Sequence, residues 1–321
     1  MENQAELKQF IPRKFPQKEK NQFKKTAGRK WTFLLLLITV SLSAVFWFLA
    51  NSENGGDGQA ARPSLTVSTP TPSVSPKNEA VLKVENLIKD LKGNYGVYTY
   101  NLVTKKTYSL DQNEIFPAAS LMKLPVILTL FQEVEAGKID LTTKYVLKNS
   151  DKQLGAGSMQ YKPAGTVFTY EKMVELMGKQ SDNTAFNVFR KILGDERIQK
   201  TIDELGMKTT SLKDFETTPS DMGLFFRRFY SGSAVSRQHR DQILSYITDT
   251  FDESRIPAGV PKGTRVAHKV GTDIGVYADA GVVYGEKPFI LVIMTRDVSD
   301  KEAKATVPTI AKIVWDEEEK N

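Results

Sequence analysis

The stretch Pro-Ala-Ala-Ser-Leu-Met-Lys-Leu-Pro, residues 117–125, places Ser120 three positions before Lys123. The mostly apolar residues 126–131 continue it as a predicted helix that runs to Gly137. Residues three apart lie on one helical face, so the Lys123 amine could take the proton of the Ser120 hydroxyl. A helix N-terminus also disfavours an ammonium ion and favours the neutral amine that a base requires. The spacing therefore predicts an activated serine nucleophile.

The composition excludes several other kinds of site. The chain of 321 residues contains no cysteine, which rules out disulfides, thiol nucleophiles and thiolate metal ligands. Its two histidines, His239 and His268, are too few for a polyhistidine metal centre. We therefore expect neither a metal ion nor an organic cofactor.

The positive charge of the chain is confined to its first 30 residues. That segment carries nine Lys or Arg and three acidic residues, which accounts for the whole formal charge of +6. The remainder is formally neutral, so we expect no basic groove and no nucleic-acid partner.

The segment from Trp31 to Ala50 is twenty residues long and carries no charge. At about 1.5 Å per residue it spans a hydrocarbon core of roughly 30 Å, which predicts a transmembrane helix. The preceding basic tail, residues 1–30, places that side in the cytoplasm and the rest of the chain outside the cell membrane. A cleaved signal peptide is the alternative, although the apolar run is long and no clear A-x-A site follows it.

The remaining chain divides into a linker and one domain. Residues 51–77 are rich in Gly, Ser, Thr and Pro and predict a flexible stalk. Residues 78–321 fit a single domain, which we expect to be monomeric. Strand-like segments occur near both ends of this domain, with helices between them. This order predicts an α/β (α+β) fold in which one antiparallel sheet of terminal strands packs beside an all-helical region.

Two further clusters lie where an acyl-transfer site would need them. Ser181-Asp182-Asn183 falls in a turn between predicted helices, where such residues are also ordinary N-caps. His268-Lys269-Val270-Gly271-Thr272 ends a predicted strand, where the lysine alone could be a solvated edge residue and the glycine a bulge. Because side chains alternate along a strand, we expect His268 to face away from Lys269 and to pack rather than to catalyse.

Together, the three clusters resemble the SxxK, SDN and Lys-x-Gly motif set of class A β-lactamases and penicillin-binding proteins. The matching pairs are Ser120/Lys123, Ser181/Asn183 and Lys269/Gly271, in the order of that family. The resemblance covers roughly residues 78–317 and implies a β-lactamase/D,D-peptidase-like fold.

The resemblance also implies roles for these residues. Ser120 would attack a carbonyl to form an ester, Lys123 would accept its proton, and Ser181 would pass a proton to the leaving nitrogen. Lys269 would attract a substrate carboxylate, and Asn183 would position Lys123 and the substrate amide. The backbone N–H groups of Ser120 and Thr272 would hold the oxyanion, with Gly271 beside them.

The sequence departs from class A β-lactamases at two places. Their E-x-x-L-N loop, which carries the glutamate for deacylation, is absent, and the segment before Thr217-Thr218-Pro219 is short. Asp214 and Glu216 are the acids nearby, and an exposed turn is the simpler interpretation of both. Val270 stands where the family has Thr or Ser, so a hydroxyl for the substrate carboxylate is missing unless Thr272 supplies one.

These features favour a membrane-anchored, extracytoplasmic serine hydrolase that forms an acyl-enzyme and acts on peptidoglycan peptide. One alternative is a β-lactamase that hydrolyses β-lactam antibiotics with an altered deacylation device. A non-catalytic wall-binding or regulatory module is the other. The substrate would be a wall peptide or a β-lactam, and residues 31–50 would contact the membrane.

Overall fold

The computed structural model describes residues 78–320 of the chain. The predicted cytoplasmic tail, transmembrane helix and linker, residues 1–77, lie outside these residues. No helix within residues 78–320 has the length and apolar character needed to cross a bilayer.

The strands of the described domain form one large sheet and two short ladders. They are β1 (Asn94–Asn101), β2 (Thr107–Leu110), β3 (Phe116–Pro117), β4 (Lys144–Val146), β5 (Val167–Thr169), β6 (Glu216–Thr217), β7 (Arg265–Asp273), β8 (Val276–Tyr284) and β9 (Phe289–Arg296). The large sheet has the order β2-β1-β9-β8-β7, and every neighbouring pair is antiparallel. The strands before and after the helical region therefore join in one sheet, as predicted.

Most helices lie in the chain between the two strand segments. The α-helices are α1 (Glu79–Ile88), α2 (Lys123–Glu135), α3 (Tyr170–Lys179), α4 (Asn183–Leu193), α5 (Asp195–Glu204), α6 (Pro219–Tyr230), α7 (Arg237–Tyr246), α8 (Ile256–Gly259) and α9 (Asp300–Glu318). Short 3₁₀ helices cover Ala119–Met122, Asn149–Asp151 and Met159–Tyr161.

The large sheet is buried on both faces. Along β9, Ile290 and Val292 belong to the core shared with the helical region, whereas Leu291 and Ile293 belong to a second core beneath α1 and α9. Because successive side chains of a strand point to opposite faces of the sheet, neighbouring residues of β9 lie in different cores. Strand β7 forms the edge of this sheet next to the 3₁₀ helix that carries Ser120.

Helix α2 is buried on all sides, as expected of a helix at the centre of an all-helical region. The predicted helix at Ser120 divides into a 3₁₀ turn, Ala119–Met122, followed by α2 from Lys123. Pro125 explains the division, because proline has no N–H and fits only the first turn of an α-helix. Ser120 and Lys123 therefore belong to two helix types that meet end to end.

Candidate active site

Ser120 lies at the junction between the helical region and the edge strand β7. Ala119, the residue before it, has a φ of 45°, a left-handed conformation that non-glycine residues adopt at a cost. Gly271 on β7 approaches this turn so closely that a Cβ atom there would lie 3.1 Å from the Ala118 carbonyl oxygen. The glycine of the third motif thus allows the strand to pack directly against the turn that holds the serine.

Lys123 is the centre of the polar cluster. Its Nζ lies 2.8 Å from Ser120 Oγ, 3.1 Å from Ser181 Oγ and 2.7 Å from Asn183 Oδ1. The side chain is 3% exposed. Burial lowers the pKa of Lys123 to about 7, against an opposing effect of the Asp182 charge. A lysine with this pKa is substantially neutral near pH 7 and can accept the Ser120 proton.

The turn between α3 and α4 presents Ser181 and Asn183 to the lysine. Asp182 caps α4 by accepting the Ala185 N–H, and it also accepts the Met159 N–H. The cap that the sequence suggested is therefore Asp182. Ser181 has a φ of 55°, and this left-handed conformation directs its hydroxyl to Lys123.

Asn183 is held from two sides. Its Oδ1 accepts from Lys123 Nζ, and its Nδ2 donates to the Leu154 carbonyl oxygen at 2.9 Å. The Asn183 side chain thereby ties Lys123 to the loop that carries Leu154 and positions the amine beside Ser120.

Lys269 approaches Ser181 from the opposite side. Its Nζ lies 2.8 Å from Ser181 Oγ and donates to the Val270 carbonyl oxygen. Burial, reinforced by the charge of Lys123, places the pKa of Lys269 well below its ordinary value. Ser181 is therefore a hydroxyl bridge between two buried amines, a geometry suited to moving a proton between them and a leaving group.

Arg255 is a site residue that the sequence did not reveal. It is 1% exposed, and its Nη1 donates to the Gly271 and Ala278 carbonyl oxygens at 2.8 and 2.6 Å. Its Nη2 donates to the Thr272 hydroxyl, and its Cζ lies 3.7 Å from the centroid of the Tyr277 ring. The guanidinium, which also pairs with Asp252 Oδ2 at 3.3 Å, thus brings a positive charge to the end of β7 and orients the Thr272 hydroxyl.

His268 contacts charged groups rather than the serine–lysine cluster. Its Nδ1 lies 2.9 Å from Asp279 Oδ1, and its Nε2 lies 3.2 Å from Glu253 Oε1. Burial opposes protonation, but Asp279 and Glu253 outweigh it and raise the pKa of His268 to about 9. The sequence suggested packing for this residue. The structure shows a buried ion pair that joins β7 to β8 and to the loop that carries Glu253.

A second, smaller cavity adjoins Ser120. Phe186 and Phe215 line a small cavity together with Ser120 and Lys123, and their ring centroids lie 6.0 Å apart. Among the described residues, the carboxylate that lines this cavity is Asp273, which accepts the N–H of its neighbour Ile274.

Asp214 and Glu216, the acids near the position of the absent glutamate loop, do not line this cavity. Asp214 is exposed and accepts from the Ser211 hydroxyl at 2.8 Å. Glu216 is exposed on β6. Neither lines the cavities that contain Ser120. Neither acid is thus placed to act on water at Ser120; within residues 78–320, the carboxylates that line the two cavities containing Ser120 are Asp252 and Asp273.

The catalytic cleft itself has a volume of about 380 Å³. It brings together residues from all three sequence motifs, including Ser120, Ser181, Asn183, Lys269 and Thr272. The cleft contains the partly exposed Ser120 hydroxyl, with the base Lys123 behind it and Ser181 as a proton relay, which are the components of acyl transfer through a serine ester.

Comparison with known proteins agrees with this geometry. The family model described as the beta-lactamase enzyme family matches residues 80–317. The chain belongs to this beta-lactamase enzyme family. It is accordingly a serine hydrolase of the class A β-lactamase-like type, with the α+β fold that the motifs predict.

Relatives of two kinds occur among the similar proteins. Beta-lactamase VEB-1 from Pseudomonas aeruginosa is 27% identical over 264 residues, which cover 73% of this chain and 88% of that protein. The structure of PBP-A has a TM-score of 0.72 and 26% identity, and the match covers 77% of this chain and 99% of PBP-A. A point mutant of PBP-A, described as an acyl-enzyme complex with penicillin-G, has a TM-score of 0.71 and 26% identity over 75% of this chain and 97% of that one.

Proposed function

We propose that this family member is an extracytoplasmic enzyme, anchored by residues 31–50, that acylates Ser120 with cell-wall peptide and releases the product slowly. The observation that carries the proposal is the asymmetry at Ser120. A buried Lys123 with a pKa of about 7 lies 2.8 Å from the serine oxygen, whereas the small cavity beside Ser120 is lined, among the described residues, by the rings of Phe186 and Phe215 and by a single carboxylate, that of Asp273. This arrangement favours formation of the ester over its hydrolysis.

The steps follow from the positions of the side chains. Neutral Lys123 takes the Ser120 proton as Oγ bonds to the substrate carbonyl carbon, and the backbone N–H groups of Ser120 and Thr272 hold the oxyanion. Ser181, between Lys123 and Lys269, passes a proton to the leaving amine as the C–N bond breaks. Arg255 supplies the positive charge that attracts a substrate carboxylate, and Lys269 holds the Ser181 hydroxyl beside it.

Hydrolysis of β-lactams is the second candidate, because relatives such as VEB-1 are named beta-lactamases. It requires a route for water to the ester at Ser120. Asp273 is the carboxylate that lines the cavity beside Phe215, so it is the described acid closest to that role.

The test is to incubate the full-length protein, in neutral detergent, with penicillin G and to follow its intact mass. We expect a lasting adduct of one penicillin per chain that is absent in Ser120→Ala. Rapid loss of penicillin with no lasting adduct would support the β-lactamase instead. If neither adduct nor hydrolysis occurs and D-Ala-D-Ala peptides are not cleaved, the protein is a binding module.

A further inference from the structure

A second groove, unrelated to the catalytic cleft, lies between the β1–β2 turn and the C-terminal end of α6. Its volume is about 550 Å³. None of its lining residues lines the cleft, and strands β9 and β8 separate β1 from β7 in the sheet. The groove is therefore a separate site, toward the other edge of the sheet from Ser120.

Every charged side chain that lines this groove is basic. Lys105 comes from the β1–β2 turn, and Arg227 and Arg228 come from the last turn of α6. Within residues 78–320 none of the three has an ion-pair partner. Other exposed lysines of the domain do pair, as Lys83 does with Glu79. The groove thus concentrates three uncompensated positive charges.

The Arg227 guanidinium is held in place before any ligand binds. Its Cζ lies 4.1 Å from the centroid of the Tyr100 ring, and its Nη1 donates to the Tyr98 hydroxyl at 3.4 Å. Its Nε and Nη2 groups have no partner in the described part of the chain. A stacked guanidinium with donors to spare is suited to bidentate recognition of an anion.

The helix dipole explains only part of this arrangement. Cations near the C-terminus of α6 complement the dipole, which accounts for Arg227 and Arg228. It does not account for Lys105, which has a left-handed φ of 64° and belongs to another element. Nor does it account for the apolar walls that Tyr100, Tyr230 and Leu224 provide.

We propose that this groove binds the phosphate of an organic phosphate ester. Three cations match the charge of a phosphate better than that of a single carboxylate, and guanidinium donors fit two phosphate oxygens at once. The tyrosine and leucine walls pack against the carbon skeleton of the ester. The volume lies within the range of small-molecule sites. A soluble or polymeric polyol phosphate and a phospholipid headgroup share this chemistry.

The test titrates sn-glycerol 3-phosphate into the full-length protein in neutral detergent at low salt. The heat of binding is measured by calorimetry. The groove variant is the double substitution Lys105→Gln and Arg228→Gln. The control is Lys301→Gln with Lys304→Gln, which removes the same charge from exposed positions on α9. We expect saturable binding by the wild type and the control, and binding weaker by about tenfold or more in the groove variant.

A second arm distinguishes the source of the phosphate. Protein reconstituted in neutral detergent is mixed with phosphatidylglycerol or phosphatidylcholine vesicles, and co-sedimentation is measured. The basic residues 1–30 are present in all variants, so their attraction to anionic lipid cancels in the comparison. If the groove variant loses binding to the phosphatidylglycerol vesicles alone, the ligand is a lipid headgroup. If it loses binding to glycerol phosphate, the ligand is a polyol phosphate.

Two outcomes would overturn the proposal. One is that the groove variant and the control bind both probes equally. The other is that the wild type binds neither probe saturably. Matching midpoints of thermal unfolding show that all variants are folded, so a loss of binding cannot be ascribed to misfolding.

Discussion

The two sides of Ser120 differ in the chemistry that they can support. On one side, the buried Lys123 amine lies at hydrogen-bond distance from the Ser120 hydroxyl and also from Ser181 Oγ. On the other side, Phe186 and Phe215 form an aromatic wall. The first side contains the groups that make an ester, whereas the second contributes, among the described residues, one carboxylate, Asp273, which accepts the N–H of its neighbour Ile274. In this domain the two halves of one hydrolytic reaction are thus built by separate elements and can vary independently.

The polar side is expected to give the largest effect. Replacing Lys123 by Met keeps a side chain of similar length and apolar character in this buried position but removes the base. We expect the rate of acylation by penicillin to fall by about 10³-fold. The measurement is the appearance of the adduct by intact mass. Lys172→Met on the exposed face of α3 is the control and should react like the wild type. An unchanged rate in Lys123→Met would mean that another group accepts the proton.

A substitution in the aromatic wall can add the base that hydrolysis of the ester requires. Phe215→Glu places a carboxylate in the wall beside Ser120, where it can take a proton from an attacking water. We expect release of the acyl group to become faster by about 10²-fold. The measurement is the decay of the penicillin adduct after excess drug is removed. Phe215→Gln has the same shape without the base and should retain the adduct. If both variants release at the wild-type rate, access of water rather than the missing base limits the reaction.

The pKa of Lys123 sets the pH dependence of the polar side. Burial lowers this pKa to about 7, and the neutral amine is the reactive form. The rate of acylation should therefore rise as pH increases through 7 and level off above it. Between about pH 6 and about pH 8 we expect about a tenfold increase. Residual acylation in Lys123→Met should lack this rise. A rate that is flat for the wild type over this interval would show that Lys123 is not the group that titrates.

The local sequence pattern predicts much of the secondary structure of the domain. Helices α4 and α6, at Asn183–Leu193 and Pro219–Tyr230, lie between the two strand segments, where helices are predicted. The ladders β3–β6 and β4–β5 were not predicted, because strands of two or three residues are too short to show alternation.

The site was predictable only where its residues form motifs. Ser120 and Lys123 are neighbours on one turn, so their contact follows from spacing. Arg255 and Asp279 reach the site through long-range folding: Arg255 donates to a strand 16 residues away, and Asp279 receives the N–H of Ile256, 23 residues before it. Nothing in the local sequence around Arg255 or Phe215 marks either residue as part of the site. Their roles depend on which elements the fold brings together.

The smallest expected effect on the rate of acylation comes from Val270 on β7. Val270 lines the cleft next to Lys269, where a hydroxyl could donate to a substrate carboxylate. Val270→Thr preserves the shape of the side chain and adds that donor. One additional hydrogen bond of about 1 kcal/mol corresponds to an increase of about fivefold in the second-order rate of acylation by penicillin.

Val270→Ala is the matched control, because it changes the side chain without adding a hydroxyl. It should not exceed the wild-type rate. An equal rate for Val270→Thr and the wild type would mean that the carboxylate is already satisfied by Thr272 and Arg255, whose guanidinium donates to the Thr272 hydroxyl. In that case the polar side is complete as it stands, and the difference between the two sides of Ser120 resides wholly in the aromatic wall.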